Sequence, residues 1–371
     1  MLNEREKNIE LLRVITMLLI ITTHFCGHGI DMASQKIFNF QISFLWFMKG
    51  ISYIGVDLYV LIGGYFLVLQ PFKINRIIKL QLEVEFYSIV LFIVSILFGI
   101  QKFKFLLLIK ALFPIITGEY WFVTIYFGLL ILSPIYNYLI SHLNKKQYEI
   151  LILILVIFFT VIPNLVFFSK WLNFGSGYGI VWFTVLYFIG GYIQLHVDKV
   201  IIKEKENWIF ILSVLFLIIL GFSKIILAEM LNIIIQRTTG SGIFLSNNSI
   251  LVLPTAVLFF LMFLNSEIKN IFLKKIIQFL STGNFAVYLI HDNPNIFKVL
   301  WKNIIGLNNN NLILIFFKSL FIIYITCILF DRIRMKLFML LKFNFFENIK
   351  KKIDLNINEL FMNTNGKRGG N

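Results

Sequence analysis

Arg13 and His24 are the residues of this chain best suited to chemistry, because both lie inside its first apolar segment. They are 11 residues apart, which at about 100° per residue places them on one helix face with an axial separation of about 16 Å. Glu10 lies on the same face, one turn before Arg13. Ionisable groups inside apolar segments are costly and are functional candidates by default. His24 suits proton transfer, since the ordinary pKa of histidine is near neutral pH, and Arg13 suits the binding of an anion.

A structural interpretation competes with this one when each residue is taken alone. Arg13 could extend to the lipid headgroups and pair with Glu10, and His24 could be an interior histidine with satisfied hydrogen bonds. The shared helix face favours a functional role. His28 lies one further turn along, near the predicted membrane surface, and is interpreted as structural or peripheral.

Two other apolar segments carry acidic residues. Asp57 lies near the middle of the second segment, where a lone carboxylate needs a partner. Glu119 opens the fourth segment beside Trp121, whose ring suits an aromatic belt at the membrane interface or the wall of a binding site. We expect Asp57 and Glu119 to take part in the chemistry. The glycines of the second segment favour close helix packing.

A polar stripe also runs along the ninth apolar segment. Ser281, Asn284, Tyr288 and His291 follow one another at spacings of 3, 4 and 3 residues, so they share one helix face. Lipid contact would favour apolar residues at these positions. We expect Asn284 and Tyr288 to bind substrate and His291 to act in the chemistry. A kinked helix end with an interfacial histidine is the structural alternative.

Arg76 and Lys79 follow the second apolar segment in the pattern N-R-I-I-K. On spacing alone, phosphate binding and ordinary anchoring of positive charge at the membrane surface explain this pattern equally well. Cys26 and Cys327 lie in apolar segments and have no metal-binding spacing, so we predict no metal site.

These residues must be positioned by helices that cross a membrane. Of the 371 residues, 58% are hydrophobic and 14% are charged, against about 25% charged in soluble domains. The apolar runs lack the alternation of β-barrel strands. With roughly 20 residues per span, the sequence predicts an all-α, polytopic transmembrane helical bundle of about ten spans. We place the spans near 8–27, 43–69, 79–100, 120–140, 149–168, 178–196, 207–229, 248–265, 276–299 and 312–338. The short segment 103–116 is predicted to be re-entrant or interfacial.

Charge distribution predicts how the chain is oriented. The net charge is +15, but Lys and Arg sit mostly in connections between apolar runs, which favours topology over nucleic-acid binding. They are more numerous on the side of the N-terminus, so both termini are predicted to be cytoplasmic. Composition rich in Lys, Ile, Asn and Phe suggests an A+T-rich bacterial genome. The predicted location is the bacterial plasma membrane. Residues 1–341 are predicted to form one membrane domain, and 342–371 a polar tail, disordered over 363–371.

Together these motifs resemble acyltransferase family 3, whose members are integral-membrane O-acyltransferases. The spacing of Arg13 and His24, with the acidic residue and the Leu-Arg pair before it, resembles the family's first-helix signature. The stretch from Gly55 to Phe66 resembles the motif G-V-D-L-F-F-V-L-S-G-Y, with Gly63 in place of its serine. Three shorter stretches also match. Residues 76–79 resemble R-x-x-R, with Lys as the second basic residue, and residues 121–134 resemble the family's fourth-helix region. Residues 281–291 resemble S-x-x-x-Y-L-I-H. The resemblance covers nearly the whole chain, from residue 8 to residue 338.

The resemblance implies transfer of an acyl group, usually acetyl from acetyl-CoA, to a hydroxyl of a glycan. Acyl-CoA is then a donor co-substrate and no cofactor is bound. The implied partners are membrane lipid, acyl-CoA and a glycan acceptor, with the oligomeric state left open. His24 is expected to act as the base or as a transient acyl carrier, oriented by Asp57, Glu119 or His291.

The expected donor site uses Arg13, together with Arg76 and Lys79, to hold the phosphates of CoA. Trp121 is expected to contact the acceptor, with the polar stripe of the ninth segment. The alternative function is an exporter or flippase of an oligosaccharide or lipid-linked glycan without acyl transfer. The absence of an internal repeat and the Arg13–His24 stripe argue against that alternative.

Overall fold

The computed structural model describes residues 7–30, 32, 39–165, 175–234, 246–305, 311–340 and 347–362, and no strand occurs in these ranges. Helices dominate because a helix satisfies its backbone hydrogen bonds within one segment, as lipid requires. In chain order, the helices α1 to α17 are Lys7–His24, Phe40–Ser52, Ile54–Leu67, Ile74–Leu97, Phe105–Leu112, Trp121–His142, Lys145–Val156, Ile162–Leu165, Ile180–His196, Lys199–Glu204, Glu206–Ile234, Val252–Asn265, Ile271–Thr282, Asn284–His291, Phe297–Ile305, Leu312–Leu340 and Glu347–Met362. The predicted all-α class is confirmed.

Seven segments of the described ranges are long and apolar enough to cross a membrane. They are Lys7–Gly29, Phe40–Leu67, Ile74–Leu97, Trp121–His142, Lys145–Asn164, Glu206–Ser223 and Leu312–Leu340. The helices α9 and α12 are also apolar but are shorter than these seven segments. These segments confirm the predicted polytopic bundle and correspond to every predicted span except the one at 276–299.

The predicted span at 276–299 is broken into three helices, so its prediction as one helix is wrong. α13 ends at Thr282, Gly283 follows, and α14 occupies Asn284–His291 before the chain turns ahead of α15. Pro294 lies in that turn, where its missing N–H and its effect on the preceding residue disfavour a continuous helix. Every residue of α14 except Phe285 is buried. α14 is therefore an internal helix that carries polar side chains into the bundle.

α1 lies at the centre of the bundle. It packs against α2, α3, α12, α13, α14 and α16. After His24 its last turn widens into a π-helical turn, Phe25–Gly29. Because α1 has neighbours on several sides, both faces of the helix bury residues, and the polar stripe predicted for it lies inside protein.

Close approach of α3 and α9 depends on glycine. A Cβ atom on Gly64 would lie 2.5 Å from the carbonyl oxygen of Tyr187, and one on Gly190 would lie 2.4 Å from that of Leu61. No side chain larger than hydrogen fits at these distances. The packing role expected for the glycines of the second segment is seen at Gly64, and the contact holds α3 against α9.

α5 and α17 lie outside the set of spanning helices. α5 has eight residues, about 12 Å at 1.5 Å per residue, too short for a hydrocarbon core of about 30 Å. This agrees with the re-entrant or interfacial segment predicted at 103–116.

α17 falls within the predicted polar tail, where no helix was expected. Its Asn358 side chain accepts a hydrogen bond from the Phe72 amide (2.9 Å) and donates one to the Phe72 carbonyl (3.1 Å). Asp354 Oδ1 accepts a hydrogen bond from the Ile74 amide (2.7 Å), one of the amides that a helix N-terminus leaves unpaired. The tail is therefore docked on the start of α4 over 347–362. The predicted disorder at 363–371 lies outside the described residues.

Candidate active site

The central polar contact of the bundle joins α1 to α14. His24 Nδ1 lies 2.9 Å from His291 Nε2, with ring centroids 5.0 Å apart. Asn284, at the start of α14, donates a hydrogen bond to the Arg13 carbonyl (2.5 Å) and accepts one from the Tyr324 hydroxyl of α16. Asn284 thus fixes α14 against α1, which places the two imidazoles opposite each other.

Hydrogen-bond partners assign the protons of both imidazoles in their neutral forms. His291 Nδ1 lies 2.6 Å from the Val287 carbonyl oxygen, which can only accept, so Nδ1 carries the proton. His291 Nε2 is then an acceptor, and the proton between the rings belongs to His24 Nδ1. A neutral imidazole has one N–H, so His24 Nε2 carries a lone pair. This arrangement suits His24 to accept a proton from a substrate.

Asp292 directly follows α14 and places a carboxylate beside the imidazoles of His24 and His291. Its Oδ1 lies 3.5 Å from His24 Nδ1 and 3.9 Å from His28 Nε2. A carboxylate at this distance stabilises a positive charge on His24 after proton uptake. Neither Asp292 nor His28 was assigned to the site from sequence, although the spacing of His28 one turn after His24 was the signal that could have included it.

His24, His28 and Asp292 also form a cluster that could hold a metal ion. Each offers one ligand atom, and these atoms lie within 4.8 Å of one another. Two imidazole nitrogens and a carboxylate oxygen are ligands that zinc binds in proteins. The sequence predicted no metal site, since its metal-spacing argument considered cysteines and not residues brought together by folding.

A small cavity adjoins His24 between α1, α3, α6 and α14. Its volume is about 20 Å³, room for one water-sized group such as a hydroxyl. The walls are largely aromatic and apolar: Met17, Ile20, His24, Val56, Tyr59, Trp121, Phe122, Phe285 and Tyr288. Trp121 and Tyr288 therefore lie where a substrate-binding role was expected, whereas Asn284 is engaged in holding α14 against α1 and α16.

Arg13 lies toward the N-terminal end of α1. Its Nη1 lies 3.2 Å from Glu10 Oε1, and its guanidinium stands 5.7 Å from the centroid of the Phe66 ring. The side chain is 29% exposed, so an anion can reach it. The hydroxyl of Tyr59, a wall residue of the cavity, lies within electrostatic range of Arg13. Arg13 is thus three turns below His24 on the same helix, as predicted.

Arg76 and Lys79 lie at the same end of the bundle but differ in their surroundings. Arg76 donates to Gln70 Oε1 and, at 3.2 Å, to the Pro71 carbonyl. Lys79 lines a groove of about 720 Å³ between α4, α16 and α17. Arg76 is therefore hydrogen-bonded to neighbouring residues, whereas Lys79 faces a groove.

Asp57 and Glu119 bind partners other than His24. Asp57 is fully buried, and its Oδ1 accepts a hydrogen bond from Trp182 Nε1 (3.0 Å). Glu119 Oε1 forms an ion pair with Lys110 Nζ (2.9 Å). Of the three groups expected to orient His24, His291 is the one that hydrogen-bonds to it among the residues described.

Fold and site together define a class of protein: a polytopic helical membrane protein with a buried, histidine-centred polar site. The family comparison makes the class specific, since the family model described as "Acyltransferase domain" matches residues 6–332. The chain therefore belongs to the acyltransferase family 3 whose motifs it resembles, and it is a membrane acyltransferase. Comparison with curated proteins and with solved structures gives no match.

Proposed function

We propose that this membrane acyltransferase moves an acetyl group from acetyl-CoA to a hydroxyl of a cell-surface or lipid-linked glycan. One observation carries the proposal: the hydrogen-bond chain from the Val287 carbonyl through His291 to His24, which assigns the lone pair of His24 to Nε2. Acyl transfer to a hydroxyl needs a base of this kind. The cavity beside His24 has room for a hydroxyl group.

His24 acts in this proposal as a general base. Its Nε2 takes the hydroxyl proton of the acceptor while the acceptor oxygen attacks the thioester carbonyl carbon. The resulting imidazolium is stabilised by the Asp292 carboxylate, 3.5 Å from Nδ1. Collapse of the tetrahedral intermediate breaks the C–S bond, and the CoA thiolate leaves with the proton from Nε2. Tyr288, whose ring centroid stands 6.4 Å from that of His24, supplies a hydroxyl donor for the developing oxyanion.

The donor is proposed to enter from the N-terminal end of α1. Arg13, Arg76 and Lys79 supply positive charge at that end, which suits the phosphates of CoA. This proposal includes a bacterial plasma membrane location with both termini in the cytoplasm, where CoA is found. The rise of about 16 Å from Arg13 to His24 matches an extended pantetheine arm.

The acceptor is proposed to meet the aromatic walls of the cavity near His24. Trp121 and Tyr288 line it, so an acceptor hydroxyl that enters the cavity lies between aromatic side chains. An exporter or flippase without acyl transfer is the competing function. Membership of an acyltransferase family favours transfer over that alternative.

A direct test uses the purified protein in lipid nanodiscs with acetyl-CoA labelled in the acetyl group. We expect release of free CoA thiol and transfer of label to a membrane glycan fraction, with no label retained on the protein after denaturation. Label retained on His24 would indicate an acyl-enzyme in place of general-base transfer. Glycan movement across the membrane without consumption of thioester would support the exporter and contradict the proposal.

A further inference from the structure

The groove that contains Lys79 is a large concave feature of the described residues, with a volume of about 720 Å³. It opens between the start of α4, the end of α16 and α17. One wall is apolar and includes Leu82, Met335 and Phe338. The opposite rim carries Lys79 from α4 and, from α17, Lys350 and Lys351. A volume of this size with apolar walls and a charged rim suits a ligand with both a ring system and anionic groups.

The three lysines of the rim are available to a ligand. No ion pair links Lys79, Lys350 or Lys351 to another residue within the part of the chain that the structure describes. The fourth cation of the groove, Arg334, is already neutralised, since its Nε lies 2.7 Å from Asp331 and its Nη2 lies 3.1 Å from Glu83. The lining contains four cations, Lys79, Arg334, Lys350 and Lys351, and two carboxylates, Glu83 and Asp354. This excess of positive charge favours the binding of phosphate groups.

The position of α17 gives these lysines a defined geometry. Asp354, one turn after Lys350, accepts the hydrogen bond from the Ile74 amide, and Asn358 pairs with both backbone groups of Phe72. These contacts hold α17 on the start of α4. Lys350 and Lys351 are therefore presented on a docked helix and not on a free tail.

The groove is connected to the candidate active site through α4. This helix lines the groove with Lys79, Leu82 and Glu83. The same helix packs against α14, which carries His291. The groove and the candidate active site therefore share one helix.

We propose that this groove binds the phosphorylated nucleotide end of the acyl-CoA donor, with Lys79, Lys350 and Lys351 contacting its phosphates. The inference rests on the proposed function and adds α17 to the donor site. α17 and the end of α16 lie beyond residues 6–332, the region that the family model matches. The headgroup of an anionic lipid carries the same phosphate chemistry and is the competing occupant.

The test compares the double variant Lys350→Gln/Lys351→Gln with the control Lys352→Gln in the full-length protein. Lys352 is an exposed lysine of the same helix that does not line the groove. Binding of acetyl-CoA is measured in nanodiscs on a His24→Gln background, so that the result does not depend on turnover. We expect the double variant to weaken binding about tenfold or more, since it removes charge-assisted contacts. We expect the control to bind within about twofold of its background.

A truncated donor separates a role in binding from a role in folding. Acetyl-pantetheine lacks the nucleotide, so its turnover should be the same in the double variant and in the otherwise unaltered protein, whereas the KM for acetyl-CoA should rise at constant kcat. Equal loss with both donors would overturn the proposal in favour of a structural role. Unchanged acetyl-CoA binding, with activity that depends on the lysines only in nanodiscs of anionic lipid, would assign the groove to lipid. If His24→Gln binds acetyl-CoA through these lysines but the unaltered protein transfers no acetyl group, the proposed function fails and the groove assignment stands.

Discussion

His24 Nδ1 and His291 Nε2 lie 2.9 Å apart, although the two residues are separated by 267 positions in the chain. The contact joins α1 to α14. The Val287 carbonyl fixes the proton of His291, and His291 fixes the proton of His24. The pair therefore works as an oriented unit in which His24 is the terminal acceptor.

Removing the orienting partner should slow transfer. In His291→Leu the Nδ1 proton of His24 loses its acceptor, so the imidazole can adopt the wrong tautomer. We expect kcat to fall by about 10²–10⁴-fold. The measurement is steady-state release of CoA thiol by the purified protein.

His291→Gln is the matched comparison, because an amide oxygen can replace Nε2 as acceptor. We expect it to retain more activity than His291→Leu. Equal and complete loss in both, with unchanged thermal stability, would contradict an orienting role.

Zinc should inhibit transfer through the cluster of His24, His28 and Asp292. Their ligand atoms lie within 4.8 Å of one another, and a bound ion would engage the base. We expect zinc to inhibit transfer at micromolar-range concentrations and a chelator to reverse the inhibition. The His28→Ala variant should be less sensitive to zinc and should retain its activity in the absence of zinc. Inhibition of the same strength in His28→Ala would show that zinc acts elsewhere.

Asp57 should prove structural, in contrast to its role expected from the sequence. In Asp57→Asn the amide oxygen can still accept the hydrogen bond from Trp182 Nε1, so transfer should remain within a few-fold of the unaltered rate. Asp57→Ala leaves the buried indole N–H unpaired and should cost about 1–3 kcal/mol of stability. Thermal unfolding and turnover of both variants check this. Loss of transfer in a stable Asp57→Asn protein would restore the catalytic interpretation.

The α3–α9 contact should tolerate no added methyl group. Alanine at Gly64 or Gly190 would place Cβ within 2.5 Å or less of backbone atoms, so both variants should lose folded protein. Gly128→Ala is the control, since its nearest neighbour would be Ile180 Cδ1 at 3.6 Å, an ordinary contact. Yields and unfolding temperatures in detergent measure the effect. A Gly64→Ala protein as stable as the control would contradict the packing described here.

Sequence periodicity was sufficient for most of the helical elements and for part of the site. Apolar runs identified the spans, and helical spacing placed Arg13 and His24 on one face and Tyr288 and His291 on another. Each of these inferences depends only on residues close together in the chain.

Contacts between segments that are far apart in the chain could not be predicted from the spacing of residues. Whether His24 meets His291, Asp57 or Glu119 depends on how each helix is rotated and on which neighbours it has, and spacing within a helix carries no such information. The break of the ninth span left Ser281 on α13 and placed the rest of the polar stripe on α14, a buried helix of eight residues. There Asn284 bonds to the Arg13 carbonyl and to the Tyr324 hydroxyl and does not line the cavity. The docking of α17 depends on two polar side chains that pair with residues at the start of α4, in a segment that the sequence identified only as a polar tail.

The most direct test of the account is single-turnover acetyl transfer by His24→Gln, with acetyl-CoA binding measured on the same preparation. If His24 is the general base, the variant binds acetyl-CoA as the unaltered protein does but transfers acetyl at least about 10²-fold more slowly, because its base is gone. Transfer by His24→Gln at the unaltered rate would contradict the central claim.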